Sequence, residues 1–320
     1  MTAHAAGKER VYLGIDIGGT GIKAGIFDGT GELTGKWQIP TRLEAGGAYI
    51  LSDIAASAEE QLRSRRQTFA DVSGIGIAVP GPVQEGGIVP LAVNLGWKNV
   101  NVREEMRELT GVSDIRVGND AKTAALGEYR MGGWEAYRSA VLITLGTAVG
   151  GAVILSGQVI RGAFGAAGEL SHIRVNPDET EPCACGQYGH LQQYVSAEGI
   201  IRSYRKKLGA EGTGALPGPA DGISVKEIFD AAKAGSPAAQ AAVRETACIL
   251  AHAMAAVSCV IDPELYLIGG GISEAGDFFL DAIREEFSKA ALPMSRNARI
   301  EAARTGNDAG ICGAFKLLVP

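Results

Sequence analysis

Three short glycine clusters follow apolar runs in this sequence, and their residue types suit phosphate binding. They are Gly18-Gly19-Thr20, Gly146-Thr147 and Gly269-Gly270-Gly271. Because glycine lacks a Cβ, such turns can point backbone N–H groups and a threonine hydroxyl at phosphate oxygens. One turn of this kind would indicate only a tight hairpin, whereas two matched copies and a third cluster favour nucleotide binding. Asp16, beside the first turn, could hold Mg²⁺ through water, and the ion would screen the phosphate charge.

Asp120 is the candidate general base. Transfer of a phosphoryl group to an alcohol needs a carboxylate within hydrogen-bond reach of the attacking hydroxyl, to orient it and to accept its proton. Asp120 and its neighbour Asn119 follow a short predicted strand at 115–117, and Asn119 could hold an adjacent hydroxyl. Both residue types also begin helices routinely. These two residues alone therefore favour a helix cap, and the catalytic interpretation depends on the other motifs.

A further group of residues has the composition of a zinc site. It contains His172, Cys183, Cys185 and His190, with Glu169 shortly before them. Two thiolates and two imidazoles suit tetrahedral Zn²⁺, and four protein ligands indicate a closed structural site. The alternative is a set of scattered reduced cysteines and surface histidines that binds no metal.

The composition argues against several classes of protein. The chain has 320 residues, 46% hydrophobic and 21% charged, which is enough for a folded core in one large domain or two lobes. A net charge of −6 argues against a nucleic acid or membrane partner. Residues 1–10 lack the apolar core of a signal peptide, and no apolar run reaches the roughly 18 residues of a membrane span. Five cysteines without a signal predict a reducing, cytoplasmic location.

Strands and helices alternate in a pattern typical of α/β proteins. Strands are predicted at 11–17, 22–27, 75–79, 115–117, 140–145, 152–155 and 265–268. Helices are predicted at 49–68 and 121–131, after the capping box Ser224-x-x-Glu227, from Ser236-Pro237 to about 257, and from Asn307 or Asp308 to 318. Residues 208–222 are predicted to form a mobile surface loop.

An internal repeat predicts two related lobes around a cleft. The N-terminal strand–glycine turn–strand pattern returns about 130 residues later, at 140–155. We expect a first lobe at 1–118, with the closing helix 306–320 packed back on it, and a second lobe at 119–305. The second lobe would carry Asp120, the second phosphate loop, the zinc cluster and the third glycine cluster.

In combination and order, the motifs resemble those of the ROK family of bacterial sugar kinases and repressors. They are Gly14-Ile-Asp-Ile-Gly-Gly-Thr20, Val79-Pro-Gly-Pro-Val83, Asn94-Leu-Gly-Trp97, Asn119-Asp120, Leu145-Gly-Thr-Ala-Val-Gly-Gly151, Gly168-Glu-Leu-Ser-His172, Cys183-Ala-Cys-Gly-Gln-Tyr-Gly-His190 and Ile268-Gly-Gly-Gly-Ile272. The resemblance spans nearly the whole chain and implies the two-lobed, ribonuclease H-like fold of the actin/hexokinase ATPases, with the active site in the cleft. About a dozen residues precede the first motif, where ROK repressors carry a DNA-binding helix-turn-helix.

The resemblance also implies residue roles. By this resemblance, Asp120 would be the catalytic base. The sugar ligands would be Gly81, Asn119, Glu169, His172 and Gln192. The glycine turns at 18–20 and 146–147 would hold the ATP phosphates with Mg²⁺ and Asp16, and the cluster at 269–271 would face the adenosine. Structural Zn²⁺ would bind His172, Cys183, Cys185 and His190. A homo-oligomer, either a dimer or a tetramer, is also expected.

Three positions depart from the family pattern. Ala148 stands where the second phosphate loop usually has glycine, and His190 replaces the third zinc cysteine. Gln192 replaces the usual sugar-binding glutamate, so the C1/C2 side of the sugar would be read by a neutral amide. The expected activity is ATP-dependent phosphorylation of a hexose at its 6-hydroxyl, with glucose as the leading substrate. A kinase for N-acetylmannosamine, N-acetylglucosamine or glucosamine is the second hypothesis, and a non-catalytic sugar sensor is the third.

Overall fold

The structure is a computed structural model that describes residues 10–210 and 222–319. Nearly all of the segment tested for a signal peptide and most of the predicted 208–222 loop lie outside the described residues. The chain divides into two compact units, Met1–Trp134 with Asn307–Pro320, and Glu135–Gly306.

The two units are built from the strands and helices whose bounds are given next. The strands are β1 (Val11–Ile17), β2 (Gly21–Phe27), β3 (Leu33–Pro40), β4 (Val72–Val79), β5 (Ile88–Ala92), β6 (Trp97–Asn101), β7 (Ile115–Asn119), β8 (Ser139–Leu145), β9 (Val149–Leu155), β10 (Gln158–Val159), β11 (Leu265–Gly269) and β12 (Arg299–Ala302). The helices are α1 (Glu44–Gly47), α2 (Ile50–Ser64), α3 (Val102–Thr110), α4 (Asp120–Met131), α5 (Gln192–Val195), α6 (Ala197–Ala210), α7 (Val225–Lys233), α8 (Pro237–Ile261), α9 (Asp277–Ala290) and α10 (Ala309–Leu318).

The two units contain five-stranded sheets of the same topology. Their strand orders are β3-β2-β1-β4-β7 and β10-β9-β8-β11-β12. In each, the first three strands along the chain pair antiparallel, and the last two join in parallel. The repeated strand–glycine turn–strand pattern in the sequence therefore corresponds to β1–β2 and to β8–β9.

The alternation of side chains along β1 sets the position of Asp16. Leu13, Ile15 and Ile17 pack into a core with α2 and α3, whereas Tyr12 packs with Ile311 and Phe315 of α10. Because successive strand residues point to opposite faces, Gly14 and Asp16 share the α10 side with Tyr12. A Cβ at Gly14 would collide with the carbonyl oxygen of Ile311, so glycine lets the helix lie close to the sheet.

The predicted boundary after residue 118 differs from the division of the structure, which falls between Trp134 and Glu135. The reason is the packing of α4 against α10. A Cβ at Gly127 would meet the backbone of Gly313, and a Cβ at Gly313 would meet the backbone of Thr123. Since α10 also packs on β1 and β4, both helices belong to the first unit, and Asp120 lies there too.

By length and composition, helix α8 is long and apolar enough to cross a membrane, a property that the search for a continuous apolar run in the sequence did not reveal. An 18-residue window of this 25-residue helix has a mean hydropathy of 1.4. The helix is rich in alanine, and polar residues interrupt its apolar stretches, so the sequence shows no continuous apolar run. In the structure it packs against α6, α7 and α9, with Val243, Leu250 and Met254 in the core of the second unit. Its apolar character is thus explained by its place in that core.

Candidate active site

The first glycine turn joins β1 to β2. Gly18 donates its N–H to the carbonyl oxygen of Gly21 at 3.0 Å, and Thr41 donates its hydroxyl to the carbonyl oxygen of Gly18 at 2.6 Å. A Cβ at Gly18 would lie 2.8 Å from the Gly21 oxygen, so this tight turn requires glycine. The side chain of Thr20 is exposed at the tip. These two hydrogen bonds thus fix the base of the turn at Gly18, while its tip at Thr20 stays accessible.

Asp16 lies on β1 against the first turn of α10. A Cβ at Gly310 would overlap the Asp16 carboxylate, so that carboxylate occupies the space that a larger residue would fill. Burial, with the negative charge of Asp120 adding to it, raises the pKa of Asp16 to about 6, while Lys23 opposes the shift. A desolvated carboxylate close to a second one is an environment that a cation would stabilise.

Asn119 and Asp120 lie at the junction of β7 and α4. The Asn119 side chain caps α4, because its Oδ1 accepts a hydrogen bond from the Lys122 N–H at 3.1 Å. Its Nδ2 donates to Oδ1 of Asp120 at 2.8 Å, and the Ala121 N–H donates to the same oxygen at 2.7 Å. The capping interpretation is therefore correct for Asn119, and the same cap orients the Asp120 carboxylate.

Gly81 follows β4 and is tied to this junction. It has φ +89°, and a Cβ there would lie 2.5 Å from the carbonyl oxygen of Leu91. Its own carbonyl oxygen accepts a hydrogen bond from Asn119 Nδ2 at 3.0 Å. Gly81, Asn119 and Asp120 thus form one connected group in the first unit, where the sequence predicted sugar ligands and the base.

In the second unit, two of the predicted glycine clusters meet. Gly270, after β11, has φ +82°, and a Cβ there would collide with the backbone of Leu145, the residue before the Gly146 turn. Gly146 donates its N–H to the carbonyl oxygen of Ala148 at 3.0 Å, which closes the turn. The backbone of Ala148 does not adopt a positive φ, so alanine is tolerated where the family has glycine.

The segment with Glu169 and His172 packs on β9. Gly168 has φ +84°, and a Cβ there would approach Ala152 Cα to 2.9 Å. Glu169 then begins a 3₁₀ turn, Leu170–His172, with both Glu169 and His172 exposed. Close packing of Gly168 on the strand that leaves the Gly146 turn therefore sets where Glu169 and His172 emerge.

Three of the four predicted zinc ligands come together. The ligand atoms of His172, Cys185 and His190 all lie within 4.8 Å of one another. His190 Nδ1 lies 3.3 Å from His172 Nδ1 and 3.2 Å from Cys185 Sγ. Burial, followed by the charges of His172 and Arg174, lowers the pKa of His190, which favours the neutral, ligating imidazole. Cys183 is buried in the adjacent turn and is not part of this group.

Gln192 makes a contact that the sequence did not predict. It begins α5, and its Oε1 accepts a hydrogen bond from the N–H of Val149, at the start of β9, at 3.4 Å. Sequence reasoning also missed Gly310 beside Asp16, and the Tyr194 hydroxyl that donates to Glu179 at 2.6 Å. No local signal marks these contacts, since each joins residues that are separated in the sequence.

Comparison with known proteins identifies the family. The family model described as "ROK family" matches residues 12–319. The chain belongs to the ROK family. The glucokinase of Halalkalibacterium halodurans is 38% identical over 310 residues, covering 95% of this chain and 94% of that protein. The glucokinase of Streptomyces coelicolor is 34% identical over 314 residues, covering 95% and 96% respectively.

A solved ROK structure has the same fold. The crystal structure of a ROK family glucokinase from Streptomyces griseus, in complex with glucose and AMPPNP, is 33% identical with a TM-score of 0.77. The similarity covers 97% of this chain and 99% of that one. It confirms the predicted α/β fold class, because ROK sugar kinases have the actin/hexokinase-like ATPase fold.

Proposed function

We propose that this protein is an ATP-dependent hexose kinase that phosphorylates glucose at its 6-hydroxyl. The observation that carries the proposal is the 38% identity, over 95% of the chain, to a ROK glucokinase. The glucose and AMPPNP in the similar Streptomyces griseus glucokinase support the same pair of substrates, a hexose and ATP.

Asp120 is the proposed base. Its carboxylate accepts the proton of the 6-hydroxyl as that oxygen bonds to the γ-phosphorus of ATP. The bond from this phosphorus to the bridging oxygen breaks, ADP leaves with the electron pair, and hexose 6-phosphate remains. The hydrogen bonds from Asn119 and Ala121 to Oδ1 support this role, because they fix the orientation of the carboxylate before substrate binds.

The remaining site residues keep their predicted roles as part of this proposal. Gly81, Asn119, Glu169 and His172 bind the sugar. The phosphates bind Gly18-Gly19-Thr20 and Gly146-Thr147, and the adenosine faces Gly269-Gly270-Gly271. The exposed tips of both turns support phosphate binding, since Thr20 and Thr147 are open to a ligand. The contact of Gly270 with Leu145 supports a nucleotide site shared by the second turn and the third cluster.

Mg²⁺ and Zn²⁺ fit different donor sets. The half-buried Asp16 carboxylate near Asp120 suits Mg²⁺, which prefers oxygen ligands and would screen the phosphate charge when bound. His172, Cys185 and His190 suit structural Zn²⁺, whose ligands lie roughly 2.0–2.3 Å from the ion. Because structural zinc is four-coordinate, Cys183 is the proposed fourth ligand from the adjacent turn. With Nδ1 of His172 in this cluster, its Nε2 can meet the sugar.

A cytoplasmic location belongs to the same proposal. All five cysteines lie in described residues and none of them forms a disulfide there, as in proteins of reducing compartments. The expected dimer or tetramer is proposed as well, and light scattering on the purified protein would test it.

A coupled ADP-release assay over a sugar panel tests the proposed function. The panel holds glucose, mannose, glucosamine, N-acetylglucosamine and N-acetylmannosamine, each with ATP and Mg²⁺. We expect the highest kcat/KM with glucose. A preference for an N-acetylated sugar would identify an N-acetylhexosamine, in place of glucose, as the substrate. The neutral amide of Gln192 favours that outcome. If the protein binds a sugar but forms no ADP from ATP with any member of the panel, that result would contradict kinase function and indicate a sensor.

A further inference from the structure

Gln192 lies between the predicted zinc cluster and the second phosphate loop. It is the first residue of α5 and is half-buried. Its Oε1 accepts a hydrogen bond from the N–H of Val149 at 3.4 Å. Val149 is the first residue after the Gly146-Thr147-Ala148 turn, opposite Leu145 in the β8–β9 ladder. The contact therefore holds the point at which the phosphate loop returns to the sheet.

The same segment holds the other end of the loop. Ala197, the first residue of α6, donates its N–H to the carbonyl oxygen of Gly146 at 2.9 Å. Gly146 and Val149 are thus both bonded to residues 192–197, one through the backbone and one through the Gln192 side chain. Of these two attachments, only the one made by Gln192 depends on side-chain identity.

Residues 192–197 are anchored independently of the loop. The His190 N–H donates to Oε1 of Gln193 at 3.1 Å, and Nε2 of Gln193 donates to the carbonyl oxygen of Glu181 at 2.9 Å. The neighbouring Tyr194 hydroxyl donates to Glu179, which also accepts from Arg202 at 3.0 Å. An anchored residue can restrain a glycine-rich loop, whereas a mobile one could not.

We propose that Gln192 is a positioning residue for the nucleotide, acting through the Val149 N–H to hold the Gly146 turn in its phosphate-binding shape. This rests on the proposed function, since it assumes that the turn binds the phosphates of ATP. It assigns Gln192 a role in the nucleotide half of the site, apart from the sugar contact expected from the sequence. The relevant atom is the acceptor Oε1, and the amide donors are not needed for it.

Two substitutions separate the acceptor from the rest of the side chain. Gln192→Met keeps the length and removes both hydrogen-bonding atoms. Gln192→Glu keeps an acceptor for the Val149 N–H and removes the donors. A position that acts through its acceptor tolerates glutamate and not methionine, and a position that donates to a sugar tolerates neither. Gln240→Met is the matched control, because it removes a comparable side-chain bond, to the Ala232 carbonyl oxygen, elsewhere in the same unit.

The test measures the affinity for AMPPNP with Mg²⁺ in the absence of sugar, by titration calorimetry. We expect Gln192→Met to weaken binding about three- to tenfold, the effect of one hydrogen bond to a neutral group. We expect Gln192→Glu to stay within about threefold of wild type, and Gln240→Met to be unchanged. In turnover, Gln192→Met should raise KM for ATP more than it lowers kcat, since the base is untouched.

Each other outcome overturns a distinct claim. Unchanged AMPPNP affinity in Gln192→Met, with melting temperature like wild type, would overturn the inference and leave the proposed function intact. Equal losses in Gln192→Met and Gln192→Glu would also overturn it, because the acceptor would then be irrelevant. Shifted KM values for sugars with constant AMPPNP affinity would make Gln192 a sugar ligand instead. Wild-type protein that binds no AMPPNP would overturn the proposed function itself.

Discussion

Asn119 donates its side-chain amide to Asp120 Oδ1, over 2.8 Å, and to the carbonyl oxygen of Gly81, over 3.0 Å. One side chain therefore caps α4, orients the proposed base and holds the turn after β4. A helix cap and a catalytic carboxylate are alternatives when only the sequence is known. In the structure the cap is what positions the carboxylate.

Asn119→Ala should reduce both stability and turnover. Loss of the cap should lower the free energy of unfolding by about 1 kcal/mol. Loss of the hydrogen bond to Asp120 should lower kcat by about tenfold or more, because the carboxylate is no longer held in one orientation. Urea unfolding and steady-state kinetics measure the two effects.

Asn101→Ala is the control for this substitution. Asn101 caps α3 in the same unit by accepting from the Glu104 N–H at 3.2 Å. It should lose similar stability and keep its kcat. Equal kcat in the two variants would show that Asn119 acts only as a cap.

Asp16→Asn should stabilise the ligand-free protein at high pH while reducing turnover. Folding raises the pKa of Asp16 from 3.8 to about 6, so the folded state prefers the protonated form. The resulting stabilisation is complete below pH 3.8 and is lost as the pH rises through 6. At pH 8 the asparagine variant should therefore gain up to about 3 kcal/mol over wild type, and little at pH 4. Activity should fall because the carboxylate for Mg²⁺ is gone.

Asp28→Asn provides a control of opposite sign. The hydroxyl of Thr30 lowers the pKa of Asp28, so the ionised carboxylate stabilises the folded state. This stabilisation is present above the ordinary pKa of aspartate and is lost on acidification. Asp28→Asn should be less stable than wild type at pH 8. If Asp16→Asn is also destabilised at pH 8, Asp16 is not held in an unfavourable charged state.

Zinc should be present at about one ion per chain, and Cys185→Ser should remove it. The melting temperature should fall with the metal, since the binding free energy holds the 172–190 segment. Sugar affinity should fall as well, because His172 is no longer oriented. Cys248→Ser is the matched control, since Cys248 also lies beside a histidine, with Sγ 3.5 Å from His252 Nδ1.

Cys183→Ser decides the number of ligands. Loss of zinc in this variant would support Cys183 as the fourth ligand. Zinc retained in Cys183→Ser and lost in Cys185→Ser would indicate a three-residue site of His172, Cys185 and His190. Wild-type protein that is fully active without zinc would show that the metal is not required.

Local signals in the sequence predicted the elements that position the site. The two strand–glycine turn–strand units, the Ser224 capping box and the helix after Ser236-Pro237 all occur in the structure. These features depend on residues within a few positions of each other, where turn and capping chemistry acts. The edge strand β3 was missed, because its side chains alternate between half-buried and exposed and give no apolar run.

Long-range side-chain contacts could not be predicted from one sequence. Asn307 or Asp308 was expected to cap α10. Asp308 is the residue at the N-cap position, but its side chain makes no cap hydrogen bond and pairs with Lys36 at 2.8 Å. The contact of Asp16 with Gly310 depends on α10 returning to the first sheet. Gln192 reaches Val149 only because α5 is anchored beside the second loop. In each case a distant element determines what the side chain contacts.

Asp120→Asn tests the central claim most directly. Asparagine keeps the size of the side chain and an acceptor for the Ala121 N–H, but it cannot take the proton of the 6-hydroxyl. With saturating glucose and ATP, kcat should fall at least about a hundredfold, while glucose affinity measured by calorimetry stays within about threefold. A variant that retains more than about a tenth of wild-type kcat would contradict general-base catalysis by Asp120.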